Sequence, residues 1–201
     1  MPSNNTILRD IERIIKGRKS LKVREKGTFV HASVMIVLRE ENGEYFILLI
    51  RRPENTSDIF SGHMAFPGGK MKEEDRDKLD TAIRETFEET GIDIREKGVI
   101  LGELDDFNPV NPEAKHYVVS PFVAFLTDRV EIRENKKEVA EVVWIPLSFL
   151  KEPGTLSIRT VERDGRRIKD YVFKYRGYTI WGITGRILFQ FLSLVGHLFN
   201  K

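Results

Sequence analysis

The sequence predicts an α+β domain built on a mixed β-sheet. Three observations carry that prediction. Apolar, β-branched runs recur along the chain, with "HASVMIVLRE" (31–40) and "YFILLIRR" (45–52) the strongest. One helical pattern, from about Asp77 to Thr90, has strands before and after it. A second apolar-periodic helix closes the chain between Ile180 and Phe199.

Each element has its own signal. Residues 6–16 read as a short amphipathic helix, with Ile7, Leu8, Ile11, Ile14 and Ile15 on one face and Gly17 as its stop. A basic connector follows, carrying Lys16, Arg18, Lys19, Lys22, Arg24 and Lys26. It reads as a solvated linker, or alternatively as a phosphate-attracting arm. The first two strands are joined through Asn42-Gly43, a strong short hairpin signal. "SGHMAFPGG" then ends in a Pro-Gly-Gly turn, and a charged loop leads into the Asp77–Thr90 helix. Further strands are expected near 99–107, 116–126 and 139–145, before an "IPLSFL" turn. A second hairpin is expected from 156–161 and 169–175, turning at Asp164-Gly165. Residues 109–113 and 131–138 read as surface loops.

In the last helix Arg186, Gln190, Ser193 and His197 trace one polar stripe among Ile, Leu, Phe and Val. A central Arg and Gln suit a membrane span poorly. The helix therefore reads as packing on its own domain or on a partner subunit, with no membrane partner and a homodimer as the expected assembly. Trp181, just before it, reads as a packing anchor.

At 201 residues the chain fits one domain with decorations. The expected division is residues 1–27, helix and connector, and residues 28–201, the main domain with its C-terminal helix. Thirty-three Lys and Arg against 31 Asp and Glu leave a net charge of +2, which does not suggest nucleic-acid binding. The absence of cysteine excludes disulfides, thiol nucleophiles and Cys-based zinc sites. Four scattered histidines show no metal-ligand spacing. Any metal would be held by oxygen, which points to Mg²⁺ or Mn²⁺. "MPSNNTILRD" lacks the order of a secretory signal, so the expected location is cytoplasmic.

The segment that carries chemistry is "RETFEETGI", residues 84–92. Positions i, i+3 and i+4 share a helix face, so Glu85, Glu88 and Glu89 converge. Like charges at that spacing repel by a few tenths of a kcal/mol per pair, roughly. The stretch is either a solvated acidic face ended by Gly91 or a cradle for a divalent cation. Arg84 is placed to orient the Glu88 carboxylate four residues on. Upstream, Gly68-Gly69 lets backbone approach the acidic face closely.

In order, Gly69, an acidic residue, Arg84, Glu85, Glu88, Glu89 and Gly91 resemble the metal-binding box of the Nudix hydrolases. Two departures are an extra residue between Gly69 and Arg84, and Thr86 where an aliphatic residue is usual. Asp75, rather than Glu74, is the favoured occupant of the loop's acidic position. "FPGGK", "TAIRE", "EVVWIPLSFL", the "FKY" segment and "YTIWGITGRIL" are similar to the coenzyme A pyrophosphatase branch, over roughly residues 28–199. Against that branch's upstream signature Leu48, Leu49, Arg52 and Gly62 fit, whereas Ile50, Pro53 and Asp58 replace Thr, Ser and Arg.

The resemblance implies a Nudix fold, a mixed sheet between helices (α/β/α). It implies metal-dependent hydrolysis of a pyrophosphate bond in a nucleoside diphosphate, with coenzyme A or its thioesters as best match. ADP-ribose, NADH or another dinucleotide is the alternative substrate class, and a non-catalytic ligand-binding domain the alternative role. Glu85, Glu88 and Glu89 would hold Mg²⁺ or Mn²⁺, with Arg84 positioning one of them. Arg52, Phe66, Gly68 and Gly69 would meet the substrate. Glu138, six residues before Trp144, stands where some members supply a further catalytic glutamate; otherwise it is a solvated loop charge. Phe107, His116 and Tyr117 are candidate contacts to a base or pantetheine arm, with packing as the other reading.

Overall fold

β1 (Val30–Glu41) is the strand around which the molecule is laid out. The structure is a computed structural model and describes residues 4–23, 28–55, 60–109, 114, 116–163 and 166–199. β1 turns at Asn42 (φ 54°) and Gly43 (φ 80°) into β2 (Glu44–Arg51), the primed-turn geometry that Asn-Gly permits. The two strands pair only from Leu38↔Ile47 to Glu41↔Glu44. Beyond that they part, and the wedge is filled by β3 (Met64–Ala65) on β2 and β4 (Gly68–Lys70) on β1. The Pro-Gly-Gly turn is thereby carried into the middle of the sheet.

α2 (Lys78–Thr90) crosses one face of this sheet, followed by α3 (Ile94–Lys97) and β5 (Gly98–Glu103). β6 (Tyr117–Leu126) runs parallel to β1 and pairs with β5, while β7 (Glu141–Pro146) pairs with the outer edge of β2. The result is a seven-stranded mixed sheet. α4 (Leu147–Leu150) occupies the expected "IPLSFL" turn. β8 (Leu156–Arg163) and β9 (Arg166–Tyr175) form the second hairpin, and β10 (Tyr178–Ile180) completes a three-stranded sheet. The hairpin's Asp164-Gly165 turn, and positions 110–113 of the expected 109–113 loop, lie outside the described residues.

Alternation along β1 divides the interior. Ala32, Ile36 and Leu38 join the larger core, under α1 (Asn4–Lys16) and α5 (Gly182–Val195); Met35 and Val37 face the smaller core under α2. Ile7, Ile11 and Ile15 of α1 are buried in that larger core, as the helical spacing predicted. The connector behind α1 is largely solvent-exposed where it is described, as expected of a solvated linker, but it is also tied to the domain by ion pairs. Arg18 pairs with Asp105, Lys22 with Glu103 at 2.9 Å, and the Leu21 N–H donates to Asp105 at 2.8 Å. Those cations already have carboxylate partners and so do not form a free phosphate-attracting arm. Arg24 and Lys26 lie outside the described residues.

Gly182–Phe199 is long and apolar enough to cross a membrane by length and composition alone. Here Ile187, Leu188, Phe191 and Val195 are buried against the chain's own core. The polar stripe is used internally: Arg186 donates to the Asn108 carbonyl at 3.2 Å, and Gln190 bonds Asp105. Trp181 does not anchor the helix. It caps α5 in an extended conformation (φ −149°), which turns its side chain off the helix's buried face and leaves it 40% exposed.

Candidate active site

α2 begins and ends where its sequence dictates. Asp77 accepts the Asp80 N–H at 2.8 Å as N-cap, and Gly91 (φ 75°) returns its N–H to Phe87 O at 2.9 Å. The helix buries Thr81, Ala82, Ile83, Glu85, Thr86, Glu89 and Thr90. Two carboxylates thus lie on its sheet-facing stripe. Burying carboxylates is costly even where each has a hydrogen-bond partner, and folding alone supplies no reason to place them there.

The Pro-Gly-Gly turn supplies the opposite wall. The Gly68 N–H donates to Glu89 Oε2 at 2.9 Å. A Cβ on Gly69 would stand 2.5 Å from the Glu85 carboxylate. Only glycine leaves that space. Burial pushes Glu85 upward from the ordinary carboxylate range, and it pushes Glu89 up to about 8 despite the Gly68 N–H.

The loop at 131–138 is tied to the end of α2, which brings in a third carboxylate. Arg133 N–H donates to Thr90 O at 2.8 Å, Asn135 N–H to Glu89 O at 3.0 Å, and Glu138 N–H to Asn135 O at 2.9 Å. Glu138 remains solvent-exposed, yet carboxylate oxygens of Glu85, Glu89 and Glu138 lie within 4.8 Å of one another. Hard divalent cations prefer such oxygen sets, so these residues fit Mg²⁺ or Mn²⁺. The trio differs from the expected Glu85, Glu88 and Glu89. Glu88 lies on the helix shoulder, outside the trio; its Oε2 accepts from Arg84 at 3.1 Å and Lys72 at 3.3 Å.

Arg84 organises the site. Its Nε and Nη2 grip the Asp75 carboxylate at 2.7 and 2.8 Å, while Nη1 reaches Glu85 at 2.6 Å. Nη2 also donates to Lys70 O at 3.1 Å, which ties the helix to β4. Asp75 further accepts from Thr81 Oγ1 and Lys72 N, each at 2.9 Å. The Arg84 guanidinium holds the Asp75 carboxyl well below its usual range, and Asp75 raises Arg84 in return. Asp75 therefore occupies the loop's acidic position, while Glu74 is exposed.

The predicted substrate contacts are placed unevenly. Gly68 and Gly69 border the carboxylates, and Arg52 lies close enough for its charge to act on Glu89. Phe66 is 3% exposed and belongs to the apolar core, so it supports the turn and offers no surface to a ligand. Phe107 is likewise buried, bridging to Val119 beneath the Arg186 guanidinium. His116 packs against Tyr117, whose ring lies 5.5 Å from Lys70 Nζ. Asp58 lies outside the described residues. Asp75 and its grip on Arg84 were legible only as an ambiguity of loop spacing.

Comparison with known proteins accords with this geometry. Residues 30–164 match the family model of the NUDIX domain. "Uncharacterized Nudix hydrolase NudL" of Photorhabdus laumondii is 32% identical over 148 residues, covering 74% of this chain and 76% of that protein. "Nudix hydrolase 15, mitochondrial" of Arabidopsis thaliana is 34% identical over 174 residues, covering 81% of this chain and 58% of the relative. Among solved structures, a MutT/nudix family protein from Enterococcus faecalis superposes over 98% of this chain and 76% of its own, with TM-score 0.60 and 19% identity, which shows the shared fold. With the acidic helix, glycine turn and Arg84 clamp in place, the chain belongs to the Nudix family and is a Nudix pyrophosphatase.

Proposed function

We propose that the protein hydrolyses the pyrophosphate bond of coenzyme A or its thioesters, with Mg²⁺ or Mn²⁺, giving 3′,5′-ADP and an (acyl)phosphopantetheine. Nudix hydrolases generally use divalent metal ions. The observation that carries the reaction is the convergence of Glu85, Glu89 and Glu138 within 4.8 Å beside the Gly68-Gly69 turn. These three would hold the metal, joined by Glu88 once it releases Lys72. Bound there, the ion supplies charge for the phosphate oxygens and acidifies water.

The chain's own groups do the rest. Arg84 fixes the Glu85 carboxylate, and Gly68 N–H fixes that of Glu89. Glu138, the solvent-facing member, would orient the attacking water and accept its proton. Water oxygen bonds to one phosphorus, the bridging P–O bond breaks, and the bridging oxygen leaves with the other phosphate. Arg52 provides positive charge beside the cradle for the anionic substrate. The choice of coenzyme A rests on the sequence resemblance of residues 28–199.

Incubation with coenzyme A, acetyl-coenzyme A, ADP-ribose, NADH and diadenosine polyphosphates, with each metal, tests the reading by mass spectrometry of products. Release of 3′,5′-ADP from coenzyme A is expected. Turnover of ADP-ribose with none of coenzyme A would refute the substrate and leave the pyrophosphatase class standing. A cytoplasmic homodimer belongs to the same reading; Leu192, Leu194 and Leu198 remain partly uncovered at the C-terminal helix. Light scattering at the monomer mass of 23.3 kDa would exclude the dimer.

A further inference from the structure

Trp181, His63 and Phe60 form an aromatic surface that the bond-breaking chemistry does not use. Trp181 is 40% exposed, yet its ring is held: it meets His63 edge-on, with centroids 4.7 Å apart and planes at 60°. His63 meets Phe60 in the same manner at 6.2 Å.

Two tethers set this indole at the end of the sheet where β2 and β7 pair through Arg51 and Glu141. The His63 carbonyl accepts the Arg52 N–H at 3.0 Å, and the Arg52 charge reaches Glu89. Tyr178, three residues before Trp181, donates its hydroxyl to Glu141 at 2.7 Å. Glu141 lies three residues beyond Glu138 and is also paired with Arg51 at 3.5 Å. The end of β2 that Arg52 follows and the start of β7 that Glu138 precedes therefore also carry the braces of Trp181.

An exposed, braced aromatic ring beside a phosphate-binding centre suits a flat, π-faced ligand. Nucleobases stack on such rings with little dependence on base identity. We propose that Trp181, braced by His63, is the stacking surface for the base of the nucleotide substrate. The proposal rests on the pyrophosphatase reading, though not on coenzyme A, because every substrate in the test panel carries adenine.

The chain has two tryptophans, and Trp144 packs under Arg39 at 4.2 Å. Trp144→Phe therefore leaves Trp181 as the only indole emitter. Titrated with Mg²⁺ present, this variant is expected to show emission quenched by AMP and unchanged by ribose 5-phosphate. Calorimetry of Trp181→Ala should show AMP bound about 5- to 140-fold more weakly, from about 1–3 kcal/mol per stacked base at about 1.4 kcal/mol per tenfold. In turnover the loss should fall on KM rather than kcat, and Trp181→Phe should restore most of it. Equal AMP affinity in wild type and Trp181→Ala, or equal quenching by ribose 5-phosphate, would overturn the proposal. Failure of wild type to cleave any pyrophosphate would instead overturn the reading beneath it, and the AMP titration separates the two.

Discussion

Replacing Gly69 by alanine tests the cradle with one methyl group. The added Cβ would lie 2.5 Å from both Cδ and Oε2 of Glu85, and 2.7 Å from Oε1. Ordinary heavy-atom contacts begin near ~3.5 Å, so the carboxylate must retreat by about 1 Å. Gly69 has no positive φ that alanine would resist, so the contact alone is perturbed. Glu85 is the far end of a flexible side chain, and the folding cost should resemble mild overpacking, about 1–3 kcal/mol. For a domain of this size that is a Tm lower by roughly 2–12 °C. Position matters more, because Glu85 is held at 2.6 Å by Arg84 and a retreat breaks the trio's spacing. A displacement of about 1 Å can lower turnover by about 10²-fold. Calorimetric Mn²⁺ binding and product release measured beside thermal unfolding should show weakened metal affinity and kcat/KM down about 100-fold in a folded protein. Wild-type Mn²⁺ affinity together with wild-type turnover in Gly69→Ala would refute the placement of the metal at Glu85.

Glu89→Gln keeps an acceptor for the Gly68 N–H but removes a buried charge. Turnover should fall by about 100-fold or more while urea unfolding at pH 8 shows no loss of stability, since burial already disfavours the charged form. Glu88→Gln should also lose turnover, and activity surviving in both variants would sink the metal-cradle reading. Asp75→Asn probes the Arg84 clamp. The folded carboxyl lies below its unfolded value of about 3.9, so its stabilisation is present above about pH 4 and disappears as pH falls further. The variant should be about 1.5–3 kcal/mol less stable at pH 7, with the gap narrowing toward pH 2. A gap of the same size at both pH values in denaturant titrations would contradict that linkage.

Much of the frame was readable from local signals. Alternation and Asn42-Gly43 located β1 and β2, and Asp77 and Gly91 bounded α2 to within a residue. The short β3 and β4 were not readable as strands, because two or three residues around Pro67-Gly68-Gly69 have no period to detect. Helical spacing placed Glu85, Glu88 and Glu89 on one side. Spacing alone does not say how that side is rotated toward the sheet, and the rotation buries Glu85 and Glu89 while leaving Glu88 exposed.

By itself, then, the sequence determined the helix, its caps, its cluster of carboxylates and the glycine turn, because each depends on neighbours a few positions away. Only the tertiary structure decided which groups meet across long separations. It brought Glu138 to Glu85 and Glu89 through the bonds from Arg133 and Asn135 to the end of α2. It gave Arg18 and Lys22 acidic partners more than eighty residues away. It also chose Asp75 over Glu74 for Arg84 and turned Trp181 outward onto His63. Those outcomes depend on how strands cross and where a helix is rotated, which no short-range spacing encodes.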